Sequence, residues 1–187
     1  MKVSGIVIAG GKSLRMGRDK SALMYRNESF LERAVSLLQH FTGDIIVSSN
    51  NQITGKPYKI ISDTVQNTGP IGGLYTCLPH IKNDRALVIP VDMPLLNVDV
   101  LQYLLQQADL NKKISVFKAG GRLQMLTGLY HKEIVPLLQK QIEAGDYKLR
   151  NLLKSIPYQV VDAGDFNNLF ININAPAELQ KLNLKNG

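Results

Sequence analysis

Short apolar runs rich in Val and Ile alternate along the first half of the chain with amphipathic stretches of helical period. Ser29 followed by Glu32 forms a capping-box pattern, and the apolar residues at helical spacing behind it continue to near Gly43. A second helix is predicted over residues 71–78. The apolar runs predict four strands, at residues 3–9, 44–48, 58–62 and 86–91. Such alternation predicts a mostly parallel sheet covered by helices, which binds ligands at the carboxyl ends of its strands.

The second half of the chain is less regular. Helices are predicted over residues 101–108 and 133–143, and a closing helix over 175–184. Gly120 and Gly121 separate two strand patterns, 114–118 and 127–130, which predicts an antiparallel hairpin. The predicted fold class is therefore α/β, a three-layer α/β/α sandwich with a mostly parallel sheet and a small antiparallel insertion, built as a single domain over residues 1–187.

Composition excludes several classes of protein. With 187 residues, 44% of them hydrophobic and 20% charged, the chain suits one globular domain and neither a disordered chain nor a coiled coil. The apolar runs fall short of the about 20 residues of a membrane span, and the N-terminal run is too short for a signal peptide. A single cysteine, Cys77, excludes an internal disulfide, and we expect a cytoplasmic protein without a membrane partner.

The net charge of +7 is unevenly distributed. Residues 1–26 hold six basic side chains against Asp19 alone, which gives +5, while the other basic residues are scattered among acidic ones. Charges act over only about 8 Å at physiological salt, so scattered lysines make no surface for a nucleic acid. The pattern favours a local site for small polyanions near the N-terminus.

The loop from Gly10 to Lys20 holds the strongest candidate for such a site. Three glycines and four basic residues follow directly on a predicted buried strand, which is typical of a loop that binds phosphates through main-chain N–H groups and cations. Ile6 stands where a Walker A loop requires glycine, and Lys12 breaks the dinucleotide fingerprint. The alternative is a basic surface loop without a ligand.

Two aspartates follow predicted strands. Asp92 lies between Pro90 and Pro94, and a carboxylate held at a strand end by rigid neighbours is a candidate Mg²⁺ ligand. The alternative is an aspartate that only caps a helix N-terminus or lies in a turn. Asp63 also directly follows a predicted strand, and it precedes a helix whose first residues are small. Those small residues would let a base or phosphate approach the helix N-terminus, or they only relieve crowding between helix and sheet.

Near the end of the chain, asparagine and isoleucine alternate. This alternation at residues 171–174 predicts a strand with both isoleucines facing the core and both amides, Asn172 and Asn174, on the other face. From the pattern alone, this polar face of the strand could simply cap the final helix.

Four motifs, in order, resemble the molybdenum cofactor guanylyltransferase family over essentially the whole chain. They are Ile-Ala-Gly-Gly-x-Ser-x-Arg-Met-Gly-x-Asp-Lys from Ile8, Gly-Pro-Ile-Gly-Gly-Leu from Gly69, Pro-Val-Asp-Met-Pro from Pro90 and Asn-Ile-Asn-Ala-Pro from Asn172. The second glycine of Ala-Gly-Gly favours the guanylyl branch over relatives that act on sugar phosphates. The resemblance implies a Rossmann-like nucleotidyltransferase fold, with nucleotide binding in about residues 1–96 and acceptor binding in about 97–187.

The resemblance also implies roles for individual residues. The main chain at the end of the first strand would bind guanine, Arg15 and Lys20 would hold the triphosphate, and Asp92 would bind Mg²⁺. Asp63 would contact the nucleoside, and the two amides would face the acceptor. The implied sets are catalytic Arg15, Lys20 and Asp92; nucleotide-binding Ile8, Ala9, Gly10, Gly11, Lys20, Asp63 and Asp92; acceptor-binding Asn172 and Asn174; and metal-binding Asp92.

The implied reaction is transfer of GMP from GTP to the molybdopterin cofactor, with release of pyrophosphate and with transient contacts to molybdoenzymes or cofactor-synthesis proteins. The alternatives are a cytidylyltransferase for the same cofactor, a nucleotidyltransferase for a sugar or polyol phosphate, and a regulatory module that only binds nucleotide. The sequence departs from the family pattern at Ser48-Ser49-Asn50, after the second strand, and in the absence of a proline before Thr127.

Overall fold

A computed structural model describes residues 1–9, 23–50, 55–173 and 178. Five of the predicted site residues lie outside these ranges, as does nearly all of the predicted closing helix; those site residues are Gly10, Gly11, Arg15, Lys20 and Asn174.

A seven-stranded sheet forms the centre of the described chain, in the order β5-β4-β1-β6-β8-β7-β9. Only β8 runs antiparallel to its neighbours, so the predicted mostly parallel sheet is confirmed. A separate two-stranded hairpin, β2 and β3, precedes the first helix. The strands are β1 (Ser4–Ile8), β2 (Met24–Tyr25), β3 (Glu28–Ser29), β4 (Ile45–Ser48), β5 (Lys59–Ile61), β6 (Arg85–Pro90), β7 (Ile114–Ala119), β8 (Arg122–His131) and β9 (Tyr158–Asp162).

Helices cover both faces of the sheet. Val7, Val47 and Leu87 point to the face covered by α1 and α3, whereas Ile6 and Val88 point to the face covered by α2 and α4. This confirms the three-layer sandwich. The helices are α1 (Phe30–Gln39), α2 (Pro70–Cys77), α3 (Val98–Gln107) and α4 (Val135–Glu143), with short 3₁₀ segments at Leu78–His80, Lys132–Ile134, Leu149–Lys154 and Gly164–Leu169.

The predicted capping box begins α1. The Ser29 hydroxyl accepts from the Glu32 N–H at 3.2 Å, and the Glu32 carboxylate accepts from the Ser29 N–H at 3.2 Å. The helix ends at Gln39, earlier than predicted, because the N–H groups of Phe41 and Thr42 both turn back to the Leu38 carbonyl.

The predicted hairpin at Gly120 and Gly121 is confirmed, and both glycines have positive φ, at 54° and 74°. The hairpin is built into the main sheet, because β8 lies between β6 and β7. Its second strand begins at Arg122, five residues earlier than predicted, because the mixed polar residues there pair with β7 beyond a bulge at Val116 and Phe117.

The predicted strand over residues 171–174 is wrong for the part that the structure describes. Residues 171–173 are in no strand, and Ile171 is 42% exposed, so it does not face the core. Ile173 is buried as predicted, and Asn172 is exposed between them. The segment is joined to the strand edge by the Ile173 N–H, which donates to the main-chain oxygen of Asp92 at 2.8 Å, and the Ile173 side chain packs in the core.

Candidate functional site

The carboxyl ends of β1, β4, β5 and β6 meet at one edge of the sheet, which we call the nucleotide edge. Hydrogen bonds continue past the strand ends. The Ala9 N–H donates to Ser48 at 2.9 Å, the Val91 N–H to Ile8 at 3.1 Å and the Ser49 N–H to Ile61 at 3.0 Å. Ile8, Ala9, Asp63 and Asp92 therefore lie on linked segments of this edge, as their positions after strands predicted.

Asp63 is held by Ser48, the last residue of β4, and by Asn50 in the segment after it. The buried Ser48 hydroxyl donates to Oδ1 of Asp63 at 2.7 Å, and Oδ1 of Asn50 accepts from the Asp63 N–H at 3.0 Å. The side chain and the backbone of Asp63 are thus both fixed. Sequence reasoning missed Ser48 and Asn50; the one signal was that they depart from the family pattern directly after a strand.

Beneath this pair lies Cys77, which is fully buried, as expected for a small apolar residue. Burial raises the pKa of its thiol to about 12, with a further contribution from the negative charge of Asp63. A thiol with so high a pKa stays protonated and is a poor nucleophile. Cys77 therefore acts as a packing residue under the site.

The first turns of α2 pack tightly against the edge. A Cβ on Gly73 would lie 2.7 Å from the Ser48 hydroxyl oxygen and 3.2 Å from Cδ1 of Ile8, and one on Gly72 would collide with Oγ1 of Thr68. Gly73 therefore relieves crowding between helix and sheet, which was one of the two interpretations of these small residues, whereas Gly72 makes room for the loop before the helix. Gly69, just before the helix, has a φ of 66°, a backbone conformation that favours glycine.

Asp92 directly follows Val91 at the end of β6. It lines a cleft of about 300 Å³ together with Asn172, Gln124 and Tyr147. The structure thus brings the predicted metal ligand and one predicted acceptor residue to the same cleft. The N-cap alternative for Asp92 is wrong, because α3 is capped by Asn97, whose side chain accepts from the Val100 N–H at 3.0 Å. Asp92 does lie in a turn after β6, as the other alternative, a turn aspartate, predicted.

The donor set around Asp92 suits a cation held mainly by its substrate. Within the described ranges, no group of three or more His, Cys, Asp or Glu side chains could hold a metal ion. Mg²⁺ commonly keeps several waters and takes one or two protein carboxylates together with substrate phosphates. A half-buried carboxylate at a strand end fits that mode of binding, and Asp92 would be the residue that holds the ion.

The fold and the site together define a nucleotidyltransferase-type α/β domain. Its sheet is mostly parallel, and the carboxyl edge of the sheet holds a tight glycine contact, a fixed aspartate and a second carboxylate. The chain belongs to the family of MobA-like NTP transferase domains, whose model matches residues 5–161. This confirms the resemblance inferred from the four motifs.

Individual relatives agree with this assignment. The chain is 33% identical over 180 residues to a protein of Vibrio vulnificus named molybdenum cofactor guanylyltransferase, covering 94% of this chain and 92% of the relative. It is 31% identical over 182 residues to a protein of the same name from Vibrio parahaemolyticus, covering 95% and 93%.

Solved structures show the same fold. Molybdopterin-guanine dinucleotide biosynthesis protein A from Archaeoglobus fulgidus superposes with a TM-score of 0.79 at 21% identity, covering 97% of this chain and 96% of that one. The 2-C-methyl-D-erythritol 4-phosphate cytidylyltransferase of Thermus thermophilus gives a TM-score of 0.70 at 14% identity, covering 97% of both chains. At these identities the likeness extends to the fold alone. No helix in the described part of the chain has the length and apolar character to span a membrane.

Proposed function

We propose that the protein transfers GMP from GTP to the terminal phosphate of the molybdopterin cofactor and releases pyrophosphate. The observation that most supports this proposal is the cleft at the end of β6, where Asp92 and Asn172 lie beside a nucleotide edge that also holds Ala9 and Asp63. The names of relatives more than 30% identical over nearly the whole chain point to the same reaction.

At the end of β1, main-chain groups would recognise the base. The Ile8 carbonyl already accepts from Val91, and the Ala9 N–H already donates to Ser48. Because a carbonyl oxygen has two lone pairs and can accept a second hydrogen bond, the main-chain carbonyls of Ile8 and Ala9 are the acceptors that this segment would offer to a base. Guanine presents N–H donors on its pairing edge, which match a carbonyl acceptor.

In the proposed reaction an oxygen of the acceptor phosphate attacks the α-phosphorus of GTP. A new phosphorus–oxygen bond forms, the bond to the bridging oxygen breaks, and pyrophosphate leaves with that oxygen. Mg²⁺, when bound, would neutralise charge on the phosphates. Asp92 would hold the ion, Asp63 would orient the nucleoside, and Arg15 and Lys20 would bind the triphosphate. Such transfers depend mainly on positioning and on neutralised charge, so the proposed machinery includes no protein nucleophile.

Asn172 is proposed to face the acceptor, since it lines the cleft with Asp92 and is exposed. The same role is proposed for Asn174. We also propose that the enzyme acts in the cytoplasm, since its one cysteine is a buried thiol, and that it makes transient contacts with proteins that deliver or receive the cofactor.

The test is a nucleotide panel with Mg²⁺ and molybdopterin. Pyrophosphate release is measured with GTP, CTP, ATP and UTP at equal concentrations. We expect a much faster rate with GTP than with the other three. Equal rates, or a preference for CTP, would refute the guanylyl assignment. Pyrophosphate release in the absence of molybdopterin would refute the assignment of molybdopterin as the acceptor.

A further inference from the structure

The hairpin β7–β8 and the edge strand β9 border an open groove of about 810 Å³, which we call the hairpin groove. None of the residues assigned to the nucleotide edge or to the cleft at Asp92 is among the residues that line it. Its lining includes Lys118, Arg122, Leu123, Arg150, Tyr158 and Val160.

The floor of the groove is apolar because the described helices leave this face of β9 partly uncovered. Tyr158 and Val160 are the register partners of Ile114 and Val116, so their side chains lie on the same face of the sheet. Ile114 and Val116 are fully buried on that face, whereas Tyr158 and Val160 remain 39% and 40% exposed. An aromatic and a β-branched side chain are thus presented to solvent side by side.

The rim of the groove is positively charged. Lys118, Arg122 and Arg150 form no ion pair with any described residue. Asp162 is the register partner of Lys118, and its Oδ1 accepts from the Gly164 N–H at 2.9 Å. Its formal negative charge offsets one of the three positive charges of the rim. The excess of positive charge that remains around one concave surface favours an anionic partner.

We propose that the hairpin groove binds an acidic segment of a partner protein, in which carboxylates flank an apolar side chain. The carboxylates pair with Lys118, Arg122 and Arg150, and the apolar side chain packs on Tyr158 and Val160. A second copy of this chain is a poor occupant, because the chain has a net charge of +7 and the groove is itself positive. Arg122 and Leu123 also border a neighbouring pocket with Gln124 and Asn172, so the hairpin groove adjoins the cleft at Asp92. The proposal still does not depend on the proposed nucleotide transfer, since no residue with a role in that reaction lines the groove.

The experiment uses the full chain and a fluorescein-labelled peptide, Gly-Asp-Glu-Leu-Glu-Asp-Gly, with binding followed by fluorescence anisotropy at low salt. We expect saturable binding that weakens about fivefold in each of K118E, R122E and R150E. The matched control is K140E, on an exposed position of α4, which makes the same change of charge and should leave the affinity within about twofold. Thermal melts check that each variant remains folded.

The apolar contact is tested separately. A peptide with serine in place of leucine has the same charge and should bind several-fold more weakly. Val160→Ser should weaken the leucine peptide but not the serine peptide. Equal binding of the two peptides would overturn the proposal in favour of a site for any small anion. A loss with K140E equal to that with R122E would overturn it in favour of diffuse attraction. A dimer in sedimentation equilibrium that R122E dissociates would overturn it in favour of a second copy.

Discussion

Removal of the Ser48 hydroxyl is the sharpest test of how the nucleotide edge is organised. Ser48 is fully buried and donates to the Asp63 carboxylate at 2.7 Å, and hydrogen bonds to charged groups contribute about 1.5–3 kcal/mol. Asp63 is only half-buried, so water replaces part of the lost bond. We therefore expect Ser48→Ala to lower the free energy of unfolding by about 1–2 kcal/mol, measured by urea denaturation.

The same substitution should weaken the binding of GTP. If Asp63 orients the nucleoside, the lost fixation raises KM for GTP by about 5- to 30-fold, which is 1–2 kcal/mol expressed as an equilibrium constant. The change in kcat should be smaller, because the hydroxyl touches the aspartate and not the phosphates. Steady-state pyrophosphate release measures both constants.

Ser62→Ala is the matched control, since Ser62 immediately precedes Asp63 but is exposed. It should change stability and KM little. A double-mutant cycle of Ser48→Ala with Asp63→Ala isolates the pair, and we expect a coupling energy of about 1 kcal/mol. Additive effects, or a Ser48→Ala protein with unchanged stability and KM, would refute the inference that Ser48 positions Asp63.

Three further substitutions test the site and its support. Asp92→Ala should abolish pyrophosphate release, because the proposed Mg²⁺ ligand is lost, while the protein still unfolds cooperatively, because the Ile173 N–H bonds the main chain of residue 92. An active variant would remove Asp92 from the metal role. Gly73→Ala should lower the free energy of unfolding, measured in urea, by about 1–3 kcal/mol, and Ser48→Ala in the same chain should restore part of that loss. Gly43→Ala should leave the free energy of unfolding unchanged, because a Cβ on Gly43 would have no atom within 4 Å. Ser29→Ala should lower the free energy of unfolding by about 1 kcal/mol near neutral pH. Hydrogen bonds from Ser29 lower the pKa of Glu32 below 4.5. The difference in unfolding free energy between the variant and the original protein should therefore shrink as the pH falls through that pKa, measured by urea denaturation at a series of pH values.

The sequence predicted most of the fold because the relevant signals are local. Each apolar run of the first half became a strand within one residue of its predicted ends, and Ser29 with Glu32 located the start of α1. The two main errors come from contacts that a local pattern does not contain. The first half of β8 is a strand because β7 lies beside it, and residues 171–173 are fixed by the main chain of Asp92.

The same difference between local patterns and contacts of distant segments explains which residues of the candidate site were predicted and which were missed. Asp63 and Asp92 were found because a carboxylate after an apolar run is visible in the sequence. Ser48 and Asn50 were missed because their importance arises from strand order: β4 lies between β1 and β5, so the segment after it meets Asp63 from the neighbouring strand. No spacing along the chain encodes that contact.

The hydrogen bonds beyond the strand ends affect how the nucleotide edge could support the proposed transfer of GMP. Ala9, Ser49 and Val91 each donate to a neighbouring strand, so the segments before Asp63 and Asp92 are held by the sheet itself. Fixed positions matter most where catalysis depends on placing two phosphates and neutralising their charge. The close packing of Gly73 on Ser48 and Ile8 extends that rigidity to α2. A substitution that loosens this packing without touching a ligand should therefore reduce the rate of transfer as well as the stability of the fold.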